Sequence, residues 1–339
     1  MDLASPTIMY SRPDVATASD APHSVTVIIV NWNSGELLAR CLRHLSTQTV
    51  RPQSILLVDN HSTDGSLALA RAFPGVTVLP MPENLGFAAG NNRGLAHCQT
   101  EFVALLNPDA FAEPDWLERL LEQTSLHPEA AFFGSRQMAH GSKGVLDGVG
   151  DKYHLSGLLW RHRHGRPQEA VDLLPGEIFS PCACAALYRR RALLEVGGFD
   201  EDYFCYAEDV DLGFRLRLAG HQAMYAPKAV VHHVGSAITG GKRSDFSVYH
   251  GQRNLVWTFV KDMPGALFWL LLPLHLLLNL TFLGLFSLRG QGRVICRAKW
   301  HALRGLPSMW KKRRVVQAAR RVRIADIWRV MDKSLLPHK

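Results

Sequence analysis

Six carboxylates fall within thirteen positions in Phe199-Asp200-Glu201-Asp202-Tyr203-Phe204-Cys205-Tyr206-Ala207-Glu208-Asp209-Val210-Asp211, interleaved with aromatic residues. Like charges this close repel, so a cation, an arginine or a raised pKa has to compensate them. Arg215 and Arg217 lie one or two helical turns further on; a purely structural salt-bridge cluster is the competing reading. Two more acids follow apolar runs: Asp59 after residues 55–58 (ILLV), and Asp109 in Asn107-Pro108-Asp109 after residues 102–106 (FVALL). Each has a structural alternative, Asp59 as a helix cap and Asn-Pro-Asp as an ordinary turn. Between them, Gly86, Gly90 and Gly94 recur every four residues. On a helix they form one bare stripe, open to a ligand or to another backbone. The segment lacks the G-x-G-x-x-G spacing of a dinucleotide site, and close helix–sheet packing is its rival.

These residues need a scaffold, and the apolar pattern supplies one. Residues 25–30 (VTVIIV) read as a strand buried on both faces, with 55–58, 76–79 and 102–106 as three more. Asn33, three residues before Glu36, reads as a capping box for a helix with Leu38, Leu42 and Leu45 on one face. Another helix is expected from near Pro114. Strands alternating with helices at this spacing indicate a mostly parallel sheet wound with helices. Ligands of such sheets lie at the carboxyl ends of the strands, where residues 31–33, 59–64 and 107–109 fall. Residues 134–180 show no period and read as a long irregular connection. Helices over 190–196 and 212–218 and a strand over 229–234 complete the body.

Composition excludes several classes. The 339 residues are 47% hydrophobic, enough for a substantial core. The net charge of +8 is local: residues 289–339 hold 15 of the 38 Lys and Arg but 2 of the 30 Asp and Glu, leaving residues 1–288 at −5. Basicity therefore says little about what the body binds. The six cysteines are scattered, without a paired C-x-x-C, so a zinc ribbon or disulfide framework is not expected. Residues 1–23 are polar, without an apolar core, and read as a disordered leader.

In order and spacing, residues 25–33, 58–66, 83–94, 105–109 and 197–215 resemble the inverting family 2 glycosyltransferases, in particular the rhamnosyltransferase-like branch. The resemblance covers roughly residues 24–260. It implies a GT-A fold, a Rossmann-like sheet that binds a nucleotide-sugar and a divalent cation, Mg²⁺ or Mn²⁺. It also implies that Asp59 holds the nucleotide base and Asn31 lines its pocket, with Asn33, Asn60, Asn84, Gly86, Asn91 and Asn107 on the donor side. Asp109 is then the metal-binding acid, joined by His233 or its neighbour His232. Asp209 becomes the general base, with Glu208 and Asp211 as supporting acids that push its pKa up. Asn107 departs from the usual D-x-D.

The chemistry is consistent with those roles. A departing nucleoside diphosphate gathers negative charge, which a hard cation held by one or two acids neutralises. At 4 Å and an effective dielectric near 20, a unit-charge contact is worth about 4 kcal/mol. Across the sugar, a carboxylate takes the proton of the attacking hydroxyl as the bond forms. Metal and base on opposite sides of one carbon describe single displacement with inversion, and no dedicated nucleophile is evident for a retaining route. The function expected is sugar transfer to a glycan or lipid-linked acceptor in cell-surface polysaccharide synthesis. A non-catalytic scaffold of the same fold is the alternative, favoured only by Asn107. No base-stacking or groove-reading motif supports a nucleic-acid partner.

Residues 263–288 are 26 positions without a formal charge. As a helix they would be about 39 Å long, against a hydrocarbon core of about 30 Å. Pro273, His275 and Asn279 interrupt them, and a basic amphipathic helix over 311–331 is expected behind them, suited to an anionic membrane surface. A single crossing would put the basic tail outside, against the positive-inside tendency. The expectation is a hairpin kinked near Pro273, or an interfacial segment, with both flanks at the cytoplasmic face.

Overall fold

The computed structural model describes residues 23–235 and 244–334. Apart from His23, the expected leader over 1–23 lies outside the described residues. Strands β1 (Val25–Asn31), β2 (Ser54–Asp59), β3 (Val76–Pro80) and β4 (Phe102–Leu106) alternate with helices α1 (Gly35–Ser46), α2 (Ser66–Ala70) and α3 (Gly86–Ala96). Next come β5 (Ala110–Ala112), α4 (Trp116–Leu126), β6 (Ala130–Ala139), β7 (Leu146–Gly148), β8 (Asp151–Tyr153), β9 (Leu159–Arg161) and β10 (Gly176–Glu177). The body closes with β11 (Ala185–Arg189), α5 (Arg190–Glu195), α6 (Glu208–Leu218) and β12 (Gln222–His233).

One sheet runs in the order β10-β12-β6-β11-β4-β1-β2-β3, with β5 on β12 and β7 on β6, while β8 and β9 pair separately. The first four strands are mutually parallel, as the apolar runs required. Val27 and Ile29 face one apolar layer and Ile28 the other, so both faces are covered. Between β4 and β6, strand β11 runs antiparallel to both. Residues 134–180 are not the irregular connection expected: they finish β6 and form β7 to β10. Strand β6 is held by β11 and β12, both far away in sequence, so no local period announces it.

Two local expectations are corrected. Asn33 does not cap α1. It adopts φ +51 and its Oδ1 accepts the Thr63 amide at 2.8 Å, which ties the β1 loop to the β2 loop. The glycine stripe of α3 is mainly a packing surface. A Cβ on Gly90 or Gly94 would come within 2.7 Å of Val30 or Ile28 of β1. Gly86 alone faces the acidic loop, at φ +83 beneath Phe204.

Helices α7 (Asp245–Asp262), α8 (Gly265–Phe286), α9 (Gly292–Ala318) and α10 (Ile324–Val330) follow. Their apolar residues Trp257, Phe259, Leu267, Met309 and Ile327 share a core cluster with Tyr203 and Phe214 of the body. Helix α8 is long and apolar enough to cross a membrane. It runs on through Pro273, and the reversal comes at Gly290 (φ 81), where the chain takes a left-handed turn. His275 inside α8 is buried, stacked on Phe259 and bonded to the Ser156 carbonyl at 2.8 Å. The basic tail is two helices: α9 ends at Ala318, and the Arg321 amide donates to the Leu218 carbonyl at 2.9 Å, turning the chain back to the body.

Candidate active site

The carboxyl ends of β1 and β2 are in register, Asn31 opposite Asp59. The Asn31 amide donates to Asp59 Oδ1 at 2.8 Å, Ser66 Oγ at 2.9 Å and Ser62 Oγ at 3.0 Å. Asp59 Oδ2 accepts the Ser62 amide at 3.1 Å. Asp64 receives the amides of Gly35 and Ser66; slight burial opposes its charge, yet the Ser66 hydroxyl and these amides hold its carboxyl below the ordinary range. The two loops therefore form one stitched crevice. Asn60 donates to the Gly86 carbonyl at 3.0 Å, and the Gly86 amide to Asn84 Oδ1 at 2.9 Å. Asn91 turns inward and bonds the Phe87 carbonyl of its own helix. Two buried amide oxygens, Asn31 Oδ1 and Asn60 Oδ1, lack a hydrogen-bond partner among the described residues, unusual for buried polar atoms.

Strand β4 lies beside β1, so its end is about 10 Å, two strand spacings, from Asp59. There the Asn107 amide donates to the Cys184 carbonyl at 2.8 Å and Asp109 is buried. His233 stands between two acids, with Nε2 3.3 Å from Asp109 Oδ1 and Nδ1 2.7 Å from Asp147 Oδ2. His232, on the opposite face of the strand, pairs with Glu113 at 2.7 Å and is half-exposed. His233 is therefore the histidine that accompanies Asp109. Burial would lower the His233 pKa, but the Cys184 thiol and the carboxylates of Asp109 and Asp147 outweigh it and hold the imidazole well above its ordinary value. Burial likewise opposes ionisation of Asp147; Arg161, His164 and His233 prevail and keep its carboxyl far below the usual range. Two carboxylates flanking an imidazole are a donor set that suits a divalent cation.

Arg161 bonds Asp147 with one nitrogen and approaches Cys182 Sγ at 2.9 Å with another. The next residue, Ala183, donates its amide to Asp209 Oδ2 at 3.2 Å. The three residues Cys182-Ala183-Cys184 thus touch both acidic groups. Asp209 is half-buried at the start of α6, and Asp151, Cys182 and Asp209 present ligand atoms within 4.8 Å of one another. Burial raises the Asp209 pKa, with the Ala183 amide and Arg161 pulling partly against it. Burial, and then the Asp209 charge, push the neighbouring Glu208 up further.

Asp211 does not support Asp209 as expected. Its carboxylate is fully buried against Arg215 at 2.8 Å and against Lys261. Burial opposes its charge, yet those cations hold its pKa down. Asp200 and Asp202 belong to the same structural network, through Lys261 and Lys312. Arg217 instead serves Glu177 and the carbonyls of Ile178 and Phe179. Glu201 is exposed and accepts from Asn92 at 3.0 Å, so of the six acids Glu208 and Asp209 are the pair left to the site. The acidic loop reaches the donor side through Phe204, whose carbonyl accepts the Ala88 amide at 3.1 Å.

Asp147, Arg161, Asp151 and Cys182 escaped sequence reasoning because three of them lie in the stretch without a period. The available signal was two acids among glycines, Asp147-Gly148 and Gly150-Asp151.

Residues 26–197 match the family model of Glycosyl transferase family 2. The chain is 34% identical over 251 residues to the N-acetylglucosaminyl-diphospho-decaprenol L-rhamnosyltransferase of Mycobacterium tuberculosis, covering 66% of this chain and 80% of that protein. It is 26% identical over 214 residues to the O-antigen chain rhamnosyltransferase RfbN of Salmonella typhimurium, covering 62% and 66%. In fold it is similar to GalNAc-T7, solved with UDP, GalNAc and Mn²⁺. The TM-score is 0.56 at 15% identity, over 70% of this chain and 48% of that one.

Proposed function

This chain belongs to glycosyl transferase family 2, in its rhamnosyltransferase-like branch, and from that premise we propose that it transfers a sugar with inversion from a nucleotide-sugar to a hydroxyl of a glycan or lipid-linked acceptor. The observation that carries the reading is the stitch at residues 182–184, which joins the Asp109–His233–Asp147 group to Asp209 beside the Asn31–Asp59 crevice. In this reading Asn31, Asp59 and the amide oxygen of Asn60 receive the nucleotide. Asp109 and His233, with Asp147 behind the imidazole, would hold Mg²⁺ or Mn²⁺, which supplies charge neutralisation at the leaving diphosphate. Asp209 accepts the acceptor's proton, and a pKa above the ordinary carboxylate value makes it the stronger base. Both similar proteins are rhamnosyltransferases, which makes dTDP-rhamnose the donor to try first, and the one named for a diphospho-decaprenol substrate favours a lipid-linked acceptor.

A panel of nucleotide-sugars with Mg²⁺ or Mn²⁺ tests this reading by thermal shift. Ligand at a hundred times its Kd stabilises by about 2.7 kcal/mol, so one donor should raise Tm and lose the effect when EDTA is added. If no nucleotide-sugar moves Tm and none is hydrolysed or transferred, the enzymatic reading fails.

The C-terminal helices carry the membrane part of the proposal. The α8 face bearing Leu270 (67% exposed) and Leu280 continues to Leu288 (90% exposed) at the turn, and the basic helix α9 follows. The hairpin starts and ends on the body: α7 packs in its core, while Arg329 pairs with Glu177 and Lys152 with Asp332. One crossing would separate those anchors, so the hairpin lies against the membrane with both flanks at the cytoplasmic face. A reporter fused after Lys339 is expected to read cytoplasmic; an external reading overturns this arrangement.

A further inference from the structure

The backbone that leads into Asp209 is unusual. Phe204, Tyr206 and Ala207 adopt φ of 64, 66 and 67, the left-handed region that residues with a Cβ avoid. Ala207 is the residue on which α6 starts, its carbonyl accepting the Asp211 amide at 2.9 Å. Turns of this kind point consecutive carbonyls inward, where neither helix nor strand serves them, and buried carbonyls need donors.

One side chain of α7 meets that need. Asn254 is fully buried, and its amide nitrogen faces the carbonyls of Tyr203 at 3.0 Å, Cys205 at 2.9 Å and Tyr206 at 2.7 Å. Its oxygen accepts from Arg253 Nε at 2.9 Å, which fixes the end of the amide that faces the loop. Arg253 also donates to the carbonyls of Asp202 and Tyr203, each at 2.9 Å, and its guanidinium lies 4.2 Å from the Trp257 ring centre. Four successive loop residues other than Phe204 are therefore held from α7, and the Phe204 carbonyl is taken from the other side by Ala88.

We propose that Asn254, oriented by Arg253, is a positioning residue that holds the left-handed turn at residues 203–207 and so sets the place of Asp209. Its consequence for transfer rests on the reading of Asp209 as proton acceptor. Because α7 leads directly into the α8–α9 hairpin, the first membrane-side helix is also a wall of the site. Among the described residues Asn254 makes no hydrogen bond to Asp109 or to the β1–β2 crevice, so its loss should act on turnover and spare donor binding.

The test uses the full chain. Asn254→Ala should lower kcat at least 30-fold with the donor KM within twofold of wild type, and amides of residues 203–209 should exchange with deuterium at least tenfold faster while β1–β4 stay protected. Adding Ala207→Gly, which makes φ near +67 strain-free, should recover part of the lost kcat relative to Ala207→Gly alone. If Asn254→Ala does not fold, Asn254→Ser, which keeps one donor, is read the same way. Exchange at 203–209 unchanged, or kcat within threefold of wild type, overturns the proposal. Asp209→Asn run in parallel separates the two readings: full turnover there removes the base assignment, while faster exchange in the Asn254 variant still establishes the clamp.

Discussion

Asp209→Asn is expected to lower sugar transfer by about 10³-fold, inside the 10²–10⁴ range for loss of a general base, with nucleotide affinity near wild type. Asparagine keeps the shape of the side chain, and its oxygen can still accept the Ala183 amide that Asp209 accepts at 3.2 Å. What it lacks is a site for the incoming proton. Because burial raises the Asp209 pKa, turnover of the wild type should fall on acidification at a pH above the ordinary carboxylate range, and that limb should vanish in the variant. The stability effect has the opposite sign. A carboxyl whose folded pKa is raised contributes its stability below the unfolded pKa and loses it as pH rises through the folded value. Asp209 and its buried neighbour Glu208 both behave this way, so removing one charge should leave Tm at pH 7 equal or higher. Turnover of Asp209→Asn equal to wild type, or a Tm several degrees lower, would be incompatible with this account.

The second large effect is on stability. Lys261 is 1% exposed and bonds Asp200 at 2.6 Å as well as Asp211. Burial lowers its pKa, and Asp211, Asp262 and Asp200 together raise it further than burial lowers it. Asp262, equally buried, is pushed well above the carboxylate range by burial and by Asp211. The network sets three cations, Lys261, Arg215 and Lys312, against Asp200, Asp211 and Asp202. Lys261→Met keeps the volume but takes one cation from each of two buried carboxylates, leaving Asp211 with Arg215 and Asp200 with Lys312. Breaking a buried pair from one side costs about 3–5 kcal/mol, equivalent to a Tm lower by roughly 4–7 °C in a chain of this size. A Tm within 1 °C of wild type would mean the charges contribute nothing. Arg215 still opposes Asp211 in that variant, which keeps the expected loss from being larger.

Strands β1, β2 and β4 were legible because each is buried on both faces by its own apolar run, a property of four to six consecutive residues. For the same reason the sequence alone puts the polar residues that follow them, Asn31, Asp59 and Asp109, at one edge of the sheet. Strand β6 and the role of Asp147 and Arg161 were not legible: they depend on pairing with β11 and β12, about 50 and 90 residues away. His232 and His233 could not be separated either, since alternation along a strand says that they face opposite ways but not which way. Only the register of β12 against β5 and β6 turns His233 toward Asp109.

The acidic segment divides most clearly between the two sources. Its composition alone required compensating cations, and Arg215, at helical spacing from Asp211, was among those expected. That Asp200, Asp202 and Asp211 would be absorbed by Lys261 and Lys312, leaving Glu208 and Asp209 in the site, was decided by helices α7 and α9. A sequence determines how many charges a segment must neutralise and which residues share a strand or a helical turn, because those are local properties of the chain. Which cation meets which acid, and which amide holds a strained loop, is decided by packing between segments 50 to 110 residues apart, and no local period carries that information.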